Sequence, residues 1–103
     1  MSKHVSFSIP HNLGEEEAKR RITVTIDQLR HRYSHLVGNL NAQWEGNNLV
    51  GHIGALGQFV RGQVTVLPTV VQVDLTLPLL LSAISGKIEK FGLSTGRKVL
   101  GTT

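Results

Sequence analysis

Asp27, His31 and His35 are spaced four apart, the pattern in this chain closest to a metal site. Side chains at i and i+4 on a helix project side by side, so the three could present one face to a divalent cation. A protein site needs a third or fourth fixed ligand, and the sequence does not bring His4, His11 or His52 to them. The plainer reading is a solvated helix face with Asp27 loosely paired to His31, and no metal is expected. Gly51-His52-Ile53-Gly54-Ala55-Leu56-Gly57 has the glycine content of a phosphate loop. It lacks the Gly-Lys-Ser/Thr ending and leads into no helix, so its amides have no helix N-terminus to reinforce anion binding. Glycines in a strand mark bulges, bends or close backbone approach. Ser6, Ser8, Ser34, Ser82, Ser85 and Ser94 occur without a nucleophile-elbow sequence. There is no cysteine, which removes thiolate chemistry and disulfides. Glu45 and Asp74 are the only acids in the middle of the chain, each at an outward strand position. No catalytic residue and no cofactor is assigned, and binding without catalysis is expected.

The elements that would carry these residues follow from periodicity. Val5, Phe7 and Ile9 alternate with His4, Ser6 and Ser8, a short strand with one buried face that Pro10 ends. Asn12 is placed to cap a helix, with Glu15 three residues on to reach back. Ile22 to Ile26 is β-branched throughout and locally suits a strand. The longer pattern decides otherwise: Ala18, Ile22, Ile26, Leu29, Tyr33 and Leu36 recur at helical spacing. Acids at the start and Arg/His at the end complement the helix dipole. One helix from about residue 14 to 37 is predicted, ended by Gly38, with Val24 facing away from the stripe. Residues 39–77 then predict a four-strand meander: Leu40/Ala42/Trp44, a glycine-rich strand from Leu49 to Leu56, Val60/Gly62/Val64/Val66, and Val71/Val73/Leu75/Leu77. Pro78 suits the first turn of a second helix, with Leu80, Leu81, Ile84, Ile88 and Phe91 on its core side and Leu79 opposite.

The predicted architecture is α+β: a five-stranded antiparallel sheet in the order β-α-β-β-β-β-α, with a long helix and a C-terminal helix on one face. Direction counting puts the first strand beside the last, in sheet order 2-3-4-5-1. Residues 1–103 are expected to form one domain, with 93–103 a basic tail whose order weakens at Gly92, Gly96 and Gly101.

The formal net charge is +4, and it sits at the two ends. Residues 38–77 hold one Arg against two acids, while residues 78–103 hold four Lys/Arg against one Glu. This basicity allows nucleic-acid binding as an alternative function. Most of the few aromatics sit on apolar stripes and not interleaved with cations, which argues against it. No signal-peptide pattern opens the chain, and no apolar run approaches the roughly 20 residues of a membrane span, so a cytoplasmic location is expected. Leu79 and Val24 are exposed apolar residues and thus candidates for a partner or lipid-facing surface. The outer sheet face, with Asn41, Gln43, Gln63, Thr65, Gln72 and Thr76, is nearly uncharged and a candidate homodimer surface.

Pro10-His11-Asn12-Leu13-Gly14, Glu16-Glu17-Ala18 and Arg20-Arg21-Ile22 resemble the start of the small polyhydroxyalkanoic acid system proteins. Trp44-Glu45-Gly46, then Gly57, Val60 and Gly62, then Leu77-Pro78 and Gly86-Lys87-Ile88 continue the resemblance in order, over about residues 4–91. The tail from Gly92 to Thr103 departs from the longer charged helix of such proteins. The resemblance implies an accessory protein of polyhydroxyalkanoate granule synthesis, storage or regulation, with the granule or a phasin-like protein as partner. It supplies no catalytic residue. The element order is also loosely similar to a reduced helix-grip domain, which implies an apolar ligand as a further alternative.

Overall fold

The computed structural model describes residues 2–32, 37–55 and 57–101, with backbone alone at 37–39 and 55. The elements are β1 (Ser2–Pro10), α1 (Glu15–Arg32), β2 (Val37–Glu45), β3 (Asn48–Ala55), β4 (Gln58–Val66), β5 (Val70–Pro78), α2 (Leu79–Ser82) and α3 (Ser85–Leu100). The five strands form one antiparallel sheet in the order β1-β5-β4-β3-β2, as the alternation predicts. The helices pack on its apolar face. The fold is therefore α+β with the expected topology.

Strand register aligns the inward residues in rows across the sheet. Trp44, Leu49, Val64, Val73 and Phe7 form one row through all five strands. Val66, Val71 and Ile9 form the next row towards one end. Ala18 of α1 and Leu100 of α3 close over that end, and Ile9, Ala18, Val66, Val71 and Leu100 are its fully buried centre. Apolar side chains at cross-strand positions and on two helix stripes meet here because that is how they leave water.

The helix α1 starts differently from the sequence expectation. Its first backbone bond runs from Ala18 N–H to the Gly14 carbonyl (3.1 Å), so Gly14 and not Asn12 stands at the cap. His11 holds the turn before it. It is 2% exposed, its Nδ1 accepts from the Leu13 N–H (3.2 Å), and its Nε2–H donates to the Leu67 carbonyl (3.0 Å). His11 thereby joins the β1–α1 turn to the β4–β5 turn. Glu15 accepts from Asn47 Nδ2 (2.7 Å) in the β2–β3 turn. Glu17 accepts from Arg20 and Arg21 at 2.7–2.8 Å, and the two guanidiniums, Arg20 first, hold its carboxyl down at about 2. The predicted helix end is also corrected: Val37 and Gly38 belong to β2, and Tyr33 to Leu36 lie outside the described residues.

The C-terminal helix departs most. The chain breaks at Ala83–Ile84, so α2 and α3 are separate and the stripe drawn through both does not keep its phase. Leu80, Ile84 and Phe91, expected in the core, are 60%, 44% and 59% exposed. The buried side of α3 is instead built on Gly92 and Gly96. A Cβ at Gly92 would overlap Phe7 Cζ, and one at Gly96 would overlap Ile9 Cδ1. Two glycines four apart let the helix settle onto β1, which side chains there would prevent. Residues 93–100, expected as a tail, are the second half of this helix, and Leu100 is 3% exposed in the core. Gly101, at φ +75°, caps it by donating to the Arg97 carbonyl, and Arg21 Nη1 donates to the Val99 carbonyl (3.3 Å).

Candidate functional site

The next inward row after Trp44–Phe7 is Ala42, Gly51, Gly62, Leu75 and Val5. Three adjacent strands thus present almost no side chain at one level of the apolar face. At Gly51 the backbone is so close to β2 that a Cβ would overlap the Asn41 carbonyl oxygen. The row beyond, Leu40, Ile53 and Val60, is bulky again. Between them lies a hollow of about 410 Å³, roofed by Ile26 and Leu29 of α1 and flanked by Phe91 of α3. Its volume falls within the roughly 300–1,000 Å³ of small-molecule sites. Its lining among the described residues includes Leu40, Leu49, Ile53, Val60, Val64 and Leu75, and no Asp, Glu, Lys or Arg. The polar residues Asn41, His52 and Gln63 reach it from strand positions whose side chains alternate to the other face.

The roof is held from one end. Trp44 Nε1 donates to Thr23 Oγ1 (2.9 Å), Lys19 lies over the Trp44 ring (5.0 Å) and donates to the Gly46 carbonyl (3.0 Å). These contacts pin the first half of α1 to the β2–β3 hairpin. Its second half, with Ile26 and Leu29, spans the hollow.

A space lined this way excludes ions. A charged group brought into it would lose water with nothing to replace the lost hydrogen bonds. An uncharged aliphatic chain would exchange water for apolar contact at about 25 cal/mol per Å² buried.

The outer face of the sheet is different. The row Asn41, His52, Arg61, Thr76 and His4 crosses it, beside Gln43, Gln63, Asp74 and Ser6. All of these but Ser6 line an open depression of about 620 Å³. Ser6 donates to Asp74 (2.7 Å), His4 Nε2 lies 3.5 Å from the same carboxylate, and Asn41 lies 3.3 Å from His52. The Ser6 hydroxyl, then His4 and Gln72, hold Asp74 below the usual carboxylate range against the opposing effect of burial. The face expected to be nearly neutral therefore carries His4, His52, Arg61, Asp74 and Glu45. Ser6 bonds to the acid and not to an imidazole, so the cluster is no nucleophile–base pair.

The residues singled out in the sequence do not converge. His31 Nδ1 lies 2.8 Å from the Asp27 carbonyl, and the Asp27 carboxylate lies 3.7 Å from Arg30. His35 is outside the described residues. Gly51 to Gly54 are strand residues of β3 and form no phosphate loop, while Leu56 is outside the described residues. Val24, 42% exposed, stands on α1 beside Asp27, Gln28, His31 and Arg32; Leu79, 65% exposed, stands on α2. The hollow went unnoticed in the sequence. Its signal was there: the Gly46-Asn47 turn sets Ala42 opposite Gly51, and the next pairing sets Gly51 opposite Gly62.

No curated protein matches the sequence. Among solved structures, the crystal structure of Ara h 8.0201 is similar in fold, with a TM-score of 0.58 at 8% identity over 98% of this chain and 97% of that one. At that identity the likeness concerns the fold, which is Bet v1-like. No helix among the described residues is long and apolar enough to cross a membrane. A family model described as "Putative polyhydroxyalkanoic acid system protein" matches residues 5–91, and the chain belongs to that family.

Proposed function

We propose that this protein is a non-catalytic accessory of the polyhydroxyalkanoate system, and that it acts by holding an uncharged aliphatic chain in the hollow beneath α1. The observation that carries this reading is the hollow itself, large enough for a ligand and, among the described residues, lined by no Asp, Glu, Lys or Arg. A hydroxyalkanoate oligomer suits it chemically. Its ester backbone is neutral and its side groups are alkyl, whereas the free hydroxy acid carries a carboxylate that the lining cannot stabilise. The family membership supports the choice of polyester chemistry, and the Bet v1-like layout supports a site between sheet and helix. Association with a granule or phasin-like protein, in the cytoplasm, belongs to the same proposal.

Displacement of an environment-sensitive apolar dye tests it. A short hydroxybutyrate oligomer capped as its methyl ester should displace the dye, equally at low and moderate salt, because no ion pair is involved. The free hydroxy acid should not. Displacement by the acid alone, or by neither, would contradict the reading. Incubation with the oligomer should release no acid; turnover abolished by a single substitution would make the protein an enzyme. Co-sedimentation with native granules checks the accessory role, and a protein left wholly in the supernatant would count against it.

A further inference from the structure

The largest concentration of exposed apolar side chains lies where the notional core stripe of the C-terminal helix fails. Leu79, Leu80, Ile84 and Phe91 are 65%, 60%, 44% and 59% exposed, half of the exposed large hydrophobics among the described residues. Such side chains in one short stretch call for a cover that scattered single ones do not. Their surroundings say what kind. At 3.6 residues per turn, Lys87, Phe91, Ser94 and Lys98 fall within an arc of α3 about 60° wide, and Ile84 stands at its N-cap. Lys90 and Arg97 adjoin it, and all four cations are exposed. Glu89, the one acid of α3, falls on the opposite side and is half-buried. None of the four cations makes an ion pair among the described residues. The inner side of the same helix is occupied by β1 through Gly92 and Gly96.

A convex helix face with aliphatic and aromatic side chains set among cations matches a flat anionic surface. The apolar groups can enter the acyl boundary while lysine and arginine meet headgroup phosphates. A nucleic-acid duplex would use the cations and leave Leu79, Leu80 and Ile84 without a role.

We propose that the α2–α3 surface docks this protein onto an anionic phospholipid surface. This goes beyond the ligand reading and does not depend on it, although Phe91 lines the hollow and so lies at both sites. Docking would bring one wall of the hollow against the lipid.

Flotation with phosphatidylcholine vesicles, with and without phosphatidylglycerol, tests the proposal on the full chain. The protein should float with the anionic vesicles and bind the neutral ones at least about tenfold more weakly. Lys87→Glu with Lys98→Glu should reduce binding by about tenfold or more. Ile84→Ser with Phe91→Ser should reduce it by a similar factor, with an unchanged thermal melt showing that these exposed positions leave the fold intact. Ala42→Leu, within the hollow, should bind vesicles like wild type, which separates docking from ligand binding. Equal binding to both vesicles, no binding to either, or wild-type binding by the lysine variant would overturn the proposal. So would salt-sensitive retention of duplex DNA without vesicle binding, or capture by phospholipid-free polyester particles alone.

Discussion

The space between sheet and helices is filled at one end and hollow at the other, and β4 runs through both. At the filled end Val66 is fully buried among Ile9, Ala18, Val71 and Leu100. At the hollow end Val60 faces the open volume under Ile26 and Leu29. The two valines lie on the same face of one strand, six residues apart. What separates them is the row between, where Ala42, Gly51 and Gly62 withhold side chains from the layer. Protein interiors normally pack to crystal-like density. An unfilled apolar layer forgoes the contacts that filling it would make. Stability is thus concentrated where α1 begins and α3 ends, and the opposite end is left open for a ligand.

The comparison can be broken by truncation. Leu100→Ala should be the costliest change, at about 2–5 kcal/mol, because it removes a core side chain from both helices and the sheet. A near-zero change in denaturant midpoint would return 93–100 to the status of a tail. Val66→Ala should cost about 2–3 kcal/mol, from two buried methyl groups and the void they leave. Val60→Ala should cost about 1 kcal/mol, since part of its surroundings is already empty. Equal values for the two valines would show that the ends are packed alike.

Glycines within α3 sharpen it next. A Cβ at Gly86 meets nothing within 4 Å, whereas one at Gly92 overlaps the Phe7 ring. Gly86→Ala should stabilise by about 0.4–1 kcal/mol by restricting the unfolded chain. Gly92→Ala should destabilise by about 1–2 kcal/mol, the overlap outweighing the gain in helix propensity. Opposite signs in parallel urea titrations are the expected result.

Much of the filled end was legible in the sequence. Val5/Phe7/Ile9 and Val71/Val73/Leu75 alternate so cleanly that strand faces follow from period, and sheet order from counting chain direction through the meander. The hollow was harder, because small residues on three strands become a site only once the register stacks them. The helix ends failed for local reasons. The helix begins at Gly14, two residues past Asn12, and the Ala83–Ile84 break resets the phase of a stripe drawn through Leu80, Ile84 and Phe91. Gly92 and Gly96 looked like loss of order because their reason lies across the layer, in Phe7 and Ile9.

The smallest effect concerns pH. Glu17 titrates at about 2 in the fold against an ordinary 4.5, so its contribution is fully present above 4.5 and is lost as pH falls towards 2. The group is exposed, so the change should be slight. Glu17→Gln should remove that part of the acid sensitivity and leave stability above pH 5, roughly, with little further dependence on this site. Identical acid titrations of stability in the two proteins would contradict the assignment.

The central claim is that the hollow takes an uncharged aliphatic chain. Calorimetric titration of wild type and Ala42→Leu with the capped hydroxybutyrate oligomer, at several temperatures, addresses it most directly. Wild type should bind with a negative heat-capacity change, the mark of apolar burial. The variant, its hollow occupied by its own leucine, should be as stable or up to about 1 kcal/mol more stable and should lose most of that binding. Undiminished binding by a folded Ala42→Leu protein, or no heat-capacity change in wild type, would place the ligand elsewhere and contradict the account.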